Sequence, residues 1–285
     1  MKKIIDRPIL IVMIWIITII AFFIFSLGKE IVPFSYNVFL LLIICFVCEL
    51  MDSSLGMGYG TTLTPILLAI GYEPLQIVPT ILLSEFLSGL SASVFHHRAG
   101  NVDFTSKKSR HSKIAIVLAL GSVFGVIVGV NLAVEIPTYI LKLTIGIIIT
   151  VAGIIIWFFL NHTFAFKKWK MIAIASVASF NKALSGGGYG PLLTSGQILS
   201  WVKGKASVAI TSFAESFTCL VAVILFMVRG HFITLELLIP VASGALLSVP
   251  ISANIVKKLN ENHIKRAVAI LTIGLGLFTI MKTLA

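Results

Sequence analysis

The chain has 285 residues, 58% of them hydrophobic and 12% charged, with a mean hydropathy of +1.06, whereas soluble domains carry roughly 25% charged residues. This composition excludes a soluble globular protein, and the apolar runs leave no stretch of ~50 residues for an appended catalytic domain. The formal charge of +11 lies in short loops between apolar runs, where it reads as a cytoplasmic topology signal rather than a nucleic-acid surface.

Met1 to Arg7 is a short basic lead, and Pro8 to Leu27 is an apolar run of 20 residues, about enough to cross ~30 Å of hydrocarbon. It exceeds a signal-peptide core and no small-residue cleavage site follows, so it is read as a retained first helix. After a polar connection, Gly28 to Tyr36, a second apolar segment runs from Asn37 to about Ser53. It contains Cys45 and Cys48, which together with Cys219 read as buried small hydrophobes.

The stretch Gly56-Met57-Gly58-Tyr59-Gly60 then interrupts the apolar pattern. Irregular backbone at membrane depth is tolerated only where protein buries it or a polar cavity hydrates it. Thr61 to Gly71 follows, 11 residues, which as a helix would be only ~16 Å long and too short to span alone. After Glu73-Pro74 a full-length helix is expected to about His97, then the most basic loop, with Arg98, Lys107, Lys108, Arg110 and Lys113 against Asp103. Two more spans, about Ile114 to Val134 and Thr138 to Leu160, end at Lys167-Lys168-Trp169-Lys170.

From about Met171 the pattern recurs: a span, a second stretch Gly186-Gly187-Gly188-Tyr189-Gly190, a short segment to Ser200, a long helix from Gly204 to Val228, and spans near Thr234 to Val256 and His263 to Lys282. At an offset of 130, Gly56, Gly58, Tyr59, Gly60, Leu63, Thr64, Val78 and Glu85 match Gly186, Gly188, Tyr189, Gly190, Leu193, Thr194, Val208 and Glu215. The offset then falls to 123, where Gly121, Asn131, Lys142 and Gly153 match Gly244, Asn254, Lys265 and Gly276. Two homologous halves are expected, residues 37–166 and 167–285, preceded by an N-terminal helix and connection at 1–36. Each half has an odd number of crossings, whether its glycine stretch joins two full crossings or tips a re-entrant hairpin. The halves are therefore inverted. The basic loops place the N-terminus in the cytoplasm and the C-terminus outside.

The expected fold is an all-α polytopic membrane protein with two inverted-topology repeats. Such repeats hold substrate where broken helices aim free N–H groups at an anion. The candidate contacts are Gly58, Tyr59, Gly60, Thr61 and Thr62 in the first copy, and Gly187, Gly188, Tyr189, Gly190, Pro191 and Thr194 in the second. The same glycines could instead serve close helix packing. Glu85 and Glu215 each fall halfway along a long apolar helix, where a charge costs on the order of 2.5–3.5 kcal/mol. With Ser88 and Ser212 nearby they are candidates for proton coupling or gating, or alternatively for structural clasps on helix-end amides. Asp52 and Lys182 occupy equivalent positions before the two stretches. They are read either as an interior ion pair, with Lys182 otherwise supplying the positive charge for the substrate, or as solvated residues at shallow depth.

The tandem pattern, Gly-Met-Gly-Tyr-Gly-Thr with Pro65 and Gly71, then Ser185-Gly186-Gly187-Gly188-Tyr189-Gly190-Pro191 with Gly196, resembles the TauE/SafE sulfite-exporter family of bacterial membrane permeases. The resemblance runs from about Asn37 to the C-terminus. The first copy departs from it, with Met57 in the triple-glycine motif and no proline directly after Gly60. The resemblance implies a bacterial inner-membrane transporter of sulfite or organosulfonates, often outward, without ATP hydrolysis.

Two other classes have some footing in the sequence. Gly-Tyr-Gly invites comparison with a potassium-channel filter, but the residues before it are not Thr-Val and two inverted copies would not form a fourfold ring. An intramembrane hydrolase built on Ser185 would need a base within reach, and the six histidines fall in loops or at span ends. No nucleotide, zinc or dinucleotide motif is present. No enzyme activity, cofactor, metal or nucleic-acid partner is expected; the partners are a small anion and the lipid bilayer, and the sequence specifies no oligomeric state.

Overall fold

A computed structural model of the chain describes residues 8–29, 36–104, 110–158, 168–198, 204–255 and 261–285. These form eleven helices and, among the described residues, no strand: α1 Pro8–Gly28, α2 Tyr36–Leu55, α3 Tyr59–Ile70, α4 Pro74–Arg98, α5 Arg110–Glu135, α6 Thr138–Phe158, α7 Lys168–Ser185, α8 Tyr189–Ile198, α9 Gly204–Val228, α10 Leu235–Ile255 and α11 Glu261–Leu284. Six of them, α2, α4, α5, α6, α9 and α10, are long and apolar enough to cross a bilayer. The all-helical polytopic fold is as expected, with boundaries within a few residues of the sequence reading. The basic residues Lys107, Lys108, Lys167, Lys203, Lys257 and Lys258 lie outside the described residues, as does the boundary between 166 and 167.

Both glycine stretches break the helix. Gly56 and Gly186 take φ of 72° and 74°, a conformation that costs little without a Cβ, and their N–H groups close the preceding helices on the Asp52 and Lys182 carbonyls. The short helix α3 has 12 residues, ~18 Å of rise. It ends at Gly71, whose left-handed backbone (φ 113°) returns its N–H to the Leu67 and Leu68 carbonyls. Glu73 and Gln76 then form a capping box, with Pro74 at the first position of α4.

Packing crosses between the two halves of the chain. α2 lies along α10 and α5 along α7; α4 packs on α9, and α6 on α11. Small residues permit the close approaches. On α5, Gly121, Gly125 and Gly129 recur every fourth residue, and a Cβ at each would press on α7 at Ile172, at the Ser176 carbonyl, and at Ala183 and the Phe180 carbonyl. A Cβ at Gly244 of α10 would meet the Leu42 carbonyl of α2, and Gly146 and Gly276 face one another across α6 and α11. The first helix joins this body through Trp15, whose indole N–H donates to the Leu246 carbonyl at 2.9 Å.

Candidate substrate and coupling site

The two breaks lie back to back. A Cβ added to Gly60 would land on the Gly186 carbonyl, one added to Gly190 on the Gly56 carbonyl, and one added to Gly187 on the Gly60–Thr61 backbone. Two hydroxyls cross-link the same junction: Thr64 donates to the Ser185 carbonyl at 2.8 Å and Thr194 to the Gly56 carbonyl at 3.0 Å. In this conformation these glycines thus face each other's backbone and not a cavity. Gly58 (φ 128°) and Gly188 (φ 85°) are the residues from which α3 and α8 start. Pro191 stands third in α8, where its missing N–H breaks no ladder bond.

Tyr59 and Tyr189 are fully buried, and each hydroxyl bridges the two halves. Tyr59 Oη lies 2.9 Å from Ser84 Oγ and 3.4 Å from the Val241 carbonyl; Tyr189 Oη lies 2.9 Å from Ser122 Oγ and 3.3 Å from Thr218 Oγ1. Both tyrosines begin helices, so the carbonyls of Gly-Tyr-Gly feed the helical ladder and do not line up as in a channel filter. Thr61 Oγ1 turns back to the Gly58 carbonyl at 3.3 Å, while Thr62 Oγ1 is buried without a partner. Ser185 Oγ is committed to the Asn181 carbonyl at 2.8 Å and to Gly187.

Beside this junction α4 crosses α9, close enough for a Cβ at Gly89 to meet the Ser212 carbonyl at 2.9 Å. Glu85 and Glu215 are each the twelfth residue of a 25-residue helix, so the crossing brings them together at mid-helix. Between them stands Lys182, from the last turn of α7. Its ammonium lies 2.8 Å from Glu215 Oε1 and is also paired with Glu85 Oε2. The three residues are 1%, 5% and 4% exposed. At Asp52 and Lys182 the shallow, solvated alternative is therefore corrected: both are buried, because α2 and α7 are covered by helices of the opposite half. The expected ion pair between them is also corrected, since Lys182 joins the two glutamates. Asp52 Oδ1 instead accepts from the Tyr59 N–H at 3.3 Å, capping α3 across the break. The glutamates hold Lys182 where the sequence reading offered helix-end amides as the alternative.

Glu49, Asp52, Glu85, Ser88, Gly89, Ser212 and Glu215 line one small void of about 10 Å³, room for about one water. The structure brings together every residue read as a coupling or gating candidate, and adds Glu49, left out of the candidate set although it lies one helical turn before Asp52. Glu49 Oε1 accepts from Ser53 Oγ, whereas Glu49 Oε2, Glu85 Oε1 and Ser88 Oγ are buried without partners. Ser212 Oγ turns to the Val208 carbonyl at 3.1 Å. Four carboxyl groups and one ammonium thus share a site almost closed to water. Among the described residues no group of three or more His, Cys, Asp or Glu is placed to hold a metal ion.

Comparison with known proteins gives this arrangement a context. A curated relative from Bacillus subtilis (strain 168), the probable membrane transporter protein YtnM, is 26% identical over 246 residues, covering 81% of this chain and 76% of that protein. No solved structure matches the chain. The model of the sulfite exporter TauE/SafE family matches residues 40–279, which take in both helix breaks and the lysine–glutamate cluster. The chain is a multi-pass membrane transporter and belongs to the sulfite exporter TauE/SafE family.

Proposed function

We propose that this transporter is a proton-linked carrier of small anions, sulfite and organosulfonates foremost, that moves them outward across a bacterial inner membrane. The observation that carries the reading is Lys182, a buried cation beside the junction of two helix breaks whose charge is taken up by Glu85 and Glu215. An anion reaches that ammonium only if the carboxylates release it, and protons are the smallest species that neutralise them. Anion binding and protonation then favour one another, as linkage requires of two ligands coupled through one equilibrium. The surplus of carboxyls over ammonium in the same site supports this: ionised acids in a dry site repel an anion, protonated ones do not.

The void at the cluster is too small for sulfite, so the anion enters when α4 and α9 part. The crossed pairing, α2 on α10 and α5 on α7, supports alternating access by two inverted repeats, residues 37–166 and 167–285, with the N-terminus cytoplasmic and the C-terminus outside. When the helices part, the first turns of α3 and α8, at Gly60 and Thr61 and at Tyr189 and Gly190, offer helix-end N–H groups to the anion. A dianion moving with one proton carries a net negative charge, and an inside-negative potential drives it outward by about 2.3 kcal/mol per 100 mV.

The test is flux of labelled sulfite and a panel of organosulfonates in proteoliposomes, with the membrane potential clamped and a pH gradient imposed. The expected result is saturable flux accelerated by the gradient, with the gradient dependence lost in Glu85→Gln and Glu215→Gln. Wild-type gradient dependence in both variants would remove the proton coupling, and absence of anion flux would remove the carrier reading.

A further inference from the structure

A second cavity lies remote from the glutamates. It has a volume of about 430 Å³ and is built where the end of α3, the turn at 71–73, the start of α6 and the end of α11 meet. That volume lies within the ~300–1,000 Å³ of small-molecule sites. Two lysines from different helices reach it, Lys142 of α6 and Lys282 of α11. Lys142 Nζ is 3.0 Å from Glu73 Oε1, and Lys282 Nζ donates to the Ala69 carbonyl at 2.9 Å. Tyr72, Tyr139, Phe278 and Leu68 are among the residues that line it.

The C-terminal end of a helix ordinarily repels an anion, because its last carbonyls point outward with a partial negative charge. Here that repulsion is relieved. The Leu67 and Leu68 carbonyls accept from Gly71 and Tyr72, and the Ala69 carbonyl accepts from Lys282. The lysines and Glu73 together leave one net positive charge over an apolar floor. Glu73 is half exposed, so an incoming oxyanion can take its place on Lys142 at little desolvation cost.

We infer that this cavity is a second, peripheral anion site, taking a singly charged oxyanion that bears an apolar or aromatic tail. The head group sits between Lys142 and Lys282 and the tail lies against Phe278 and Leu68. An organosulfonate and the head group of an anionic lipid share this chemistry. The site stands independently of the transport reading, since nothing in it uses the glutamates or the helix breaks.

The test uses Thr283→Cys on the cavity rim; the native cysteines Cys45, Cys48 and Cys219 are buried. In phosphatidylcholine nanodiscs, the anionic sulfonatoethyl methanethiosulfonate reagent should modify this thiol about ten-fold faster, relative to the cationic trimethylammonium reagent and normalised to free cysteine, as expected of local electrostatic enrichment. Benzenesulfonate should protect the thiol saturably. Lys142→Gln with Lys282→Gln should abolish both the preference and the protection, and the corresponding arginine pair should restore them, which separates loss of charge from misfolding. Protection by benzenesulfonate in phosphatidylcholine assigns the site to a soluble anion, and protection only when phosphatidylglycerol is added assigns it to lipid. Absence of protection in both membranes, or protection indifferent to the lysines, would overturn the site. Persistence of protection in a protein that carries no anion would remove only the carrier reading.

Discussion

Thr64 donates its hydroxyl to the Ser185 carbonyl across 2.8 Å, so the second turn of the first short helix holds the last residue of the helix before the second break. Thr194 makes the reciprocal bond to Gly56 and also lies 3.1 Å from Thr211 Oγ1. Thr64→Val should cost about 1 kcal/mol, the net worth of one hydrogen bond. Thr194→Val should cost about twice that, because it severs two contacts. Thermal unfolding of the purified variants in one detergent reads the difference, and equal losses would mean that the Thr211 contact contributes nothing.

Gly60 and Gly71 separate two reasons for a glycine. At Gly60 an added methyl collides with the Gly186 backbone, which cannot swing aside. At Gly71 nothing lies within 4 Å of an added Cβ, and only the positive φ opposes it. Gly60→Ala should cost about 3 kcal/mol by overpacking, and Gly71→Ala about 1 kcal/mol by backbone strain. Comparable unfolding temperatures for the two variants would refute the back-to-back breaks.

Removing Lys182 alone should be far worse than removing the whole cluster's charge. Lys182→Met leaves Glu85 and Glu215 buried without their cation, a loss of about 3–5 kcal/mol. Adding Glu85→Gln and Glu215→Gln should recover most of it, since an apolar or neutral replacement of a buried triad is often neutral. Flux should stay absent in both proteins. Recovery of stability together with flux would show that Lys182 is not the anion's partner.

The long helices and the positions of their interruptions were legible because glycine and hydropathy report on local backbone. Glu85 and Glu215 stood out as charges in the middle of apolar runs, and the 130-residue offset aligned Asp52 with Lys182. Their partners were not legible, because the depth of Lys182 is set by helices that cover it from the other half of the chain. Nor does sequence distinguish a glycine that admits a ligand from one that admits another backbone: Gly60, Gly187 and Gly190 satisfy either need by lacking a Cβ. His96 marks a span end by hydropathy, yet it is wholly buried, with Nε2 2.9 Å from the Ser53 carbonyl.

That histidine carries a further expectation. Asn101 Nδ2 lies 3.0 Å from both His96 Nδ1 and the Ala253 carbonyl. An amide nitrogen only donates, so Nδ1 accepts and the proton sits on Nε2, donated to Ser53. Nitrogen NMR of labelled protein should show this tautomer. Asn101→Leu should cost about 2 kcal/mol by stranding two buried acceptors, and a mixture of tautomers in the wild type would contradict the assignment.

The crossed pairing of helices also bears on how the chain is made. While the first half leaves the ribosome, the glycine face of α5 and the inner face of α2 have only lipid to lie against, since α7 and α10 are not yet synthesised. Insertion of α2 must therefore precede its packing on α10 by the time needed to translate more than half of the sequence, whereas α5 waits only for the next helix but one. A chain halted before α7 would be a membrane-inserted intermediate with open grooves, the kind of species that quality-control proteases recognise. Completion of the second half closes the grooves and seals Lys182 between its glutamates.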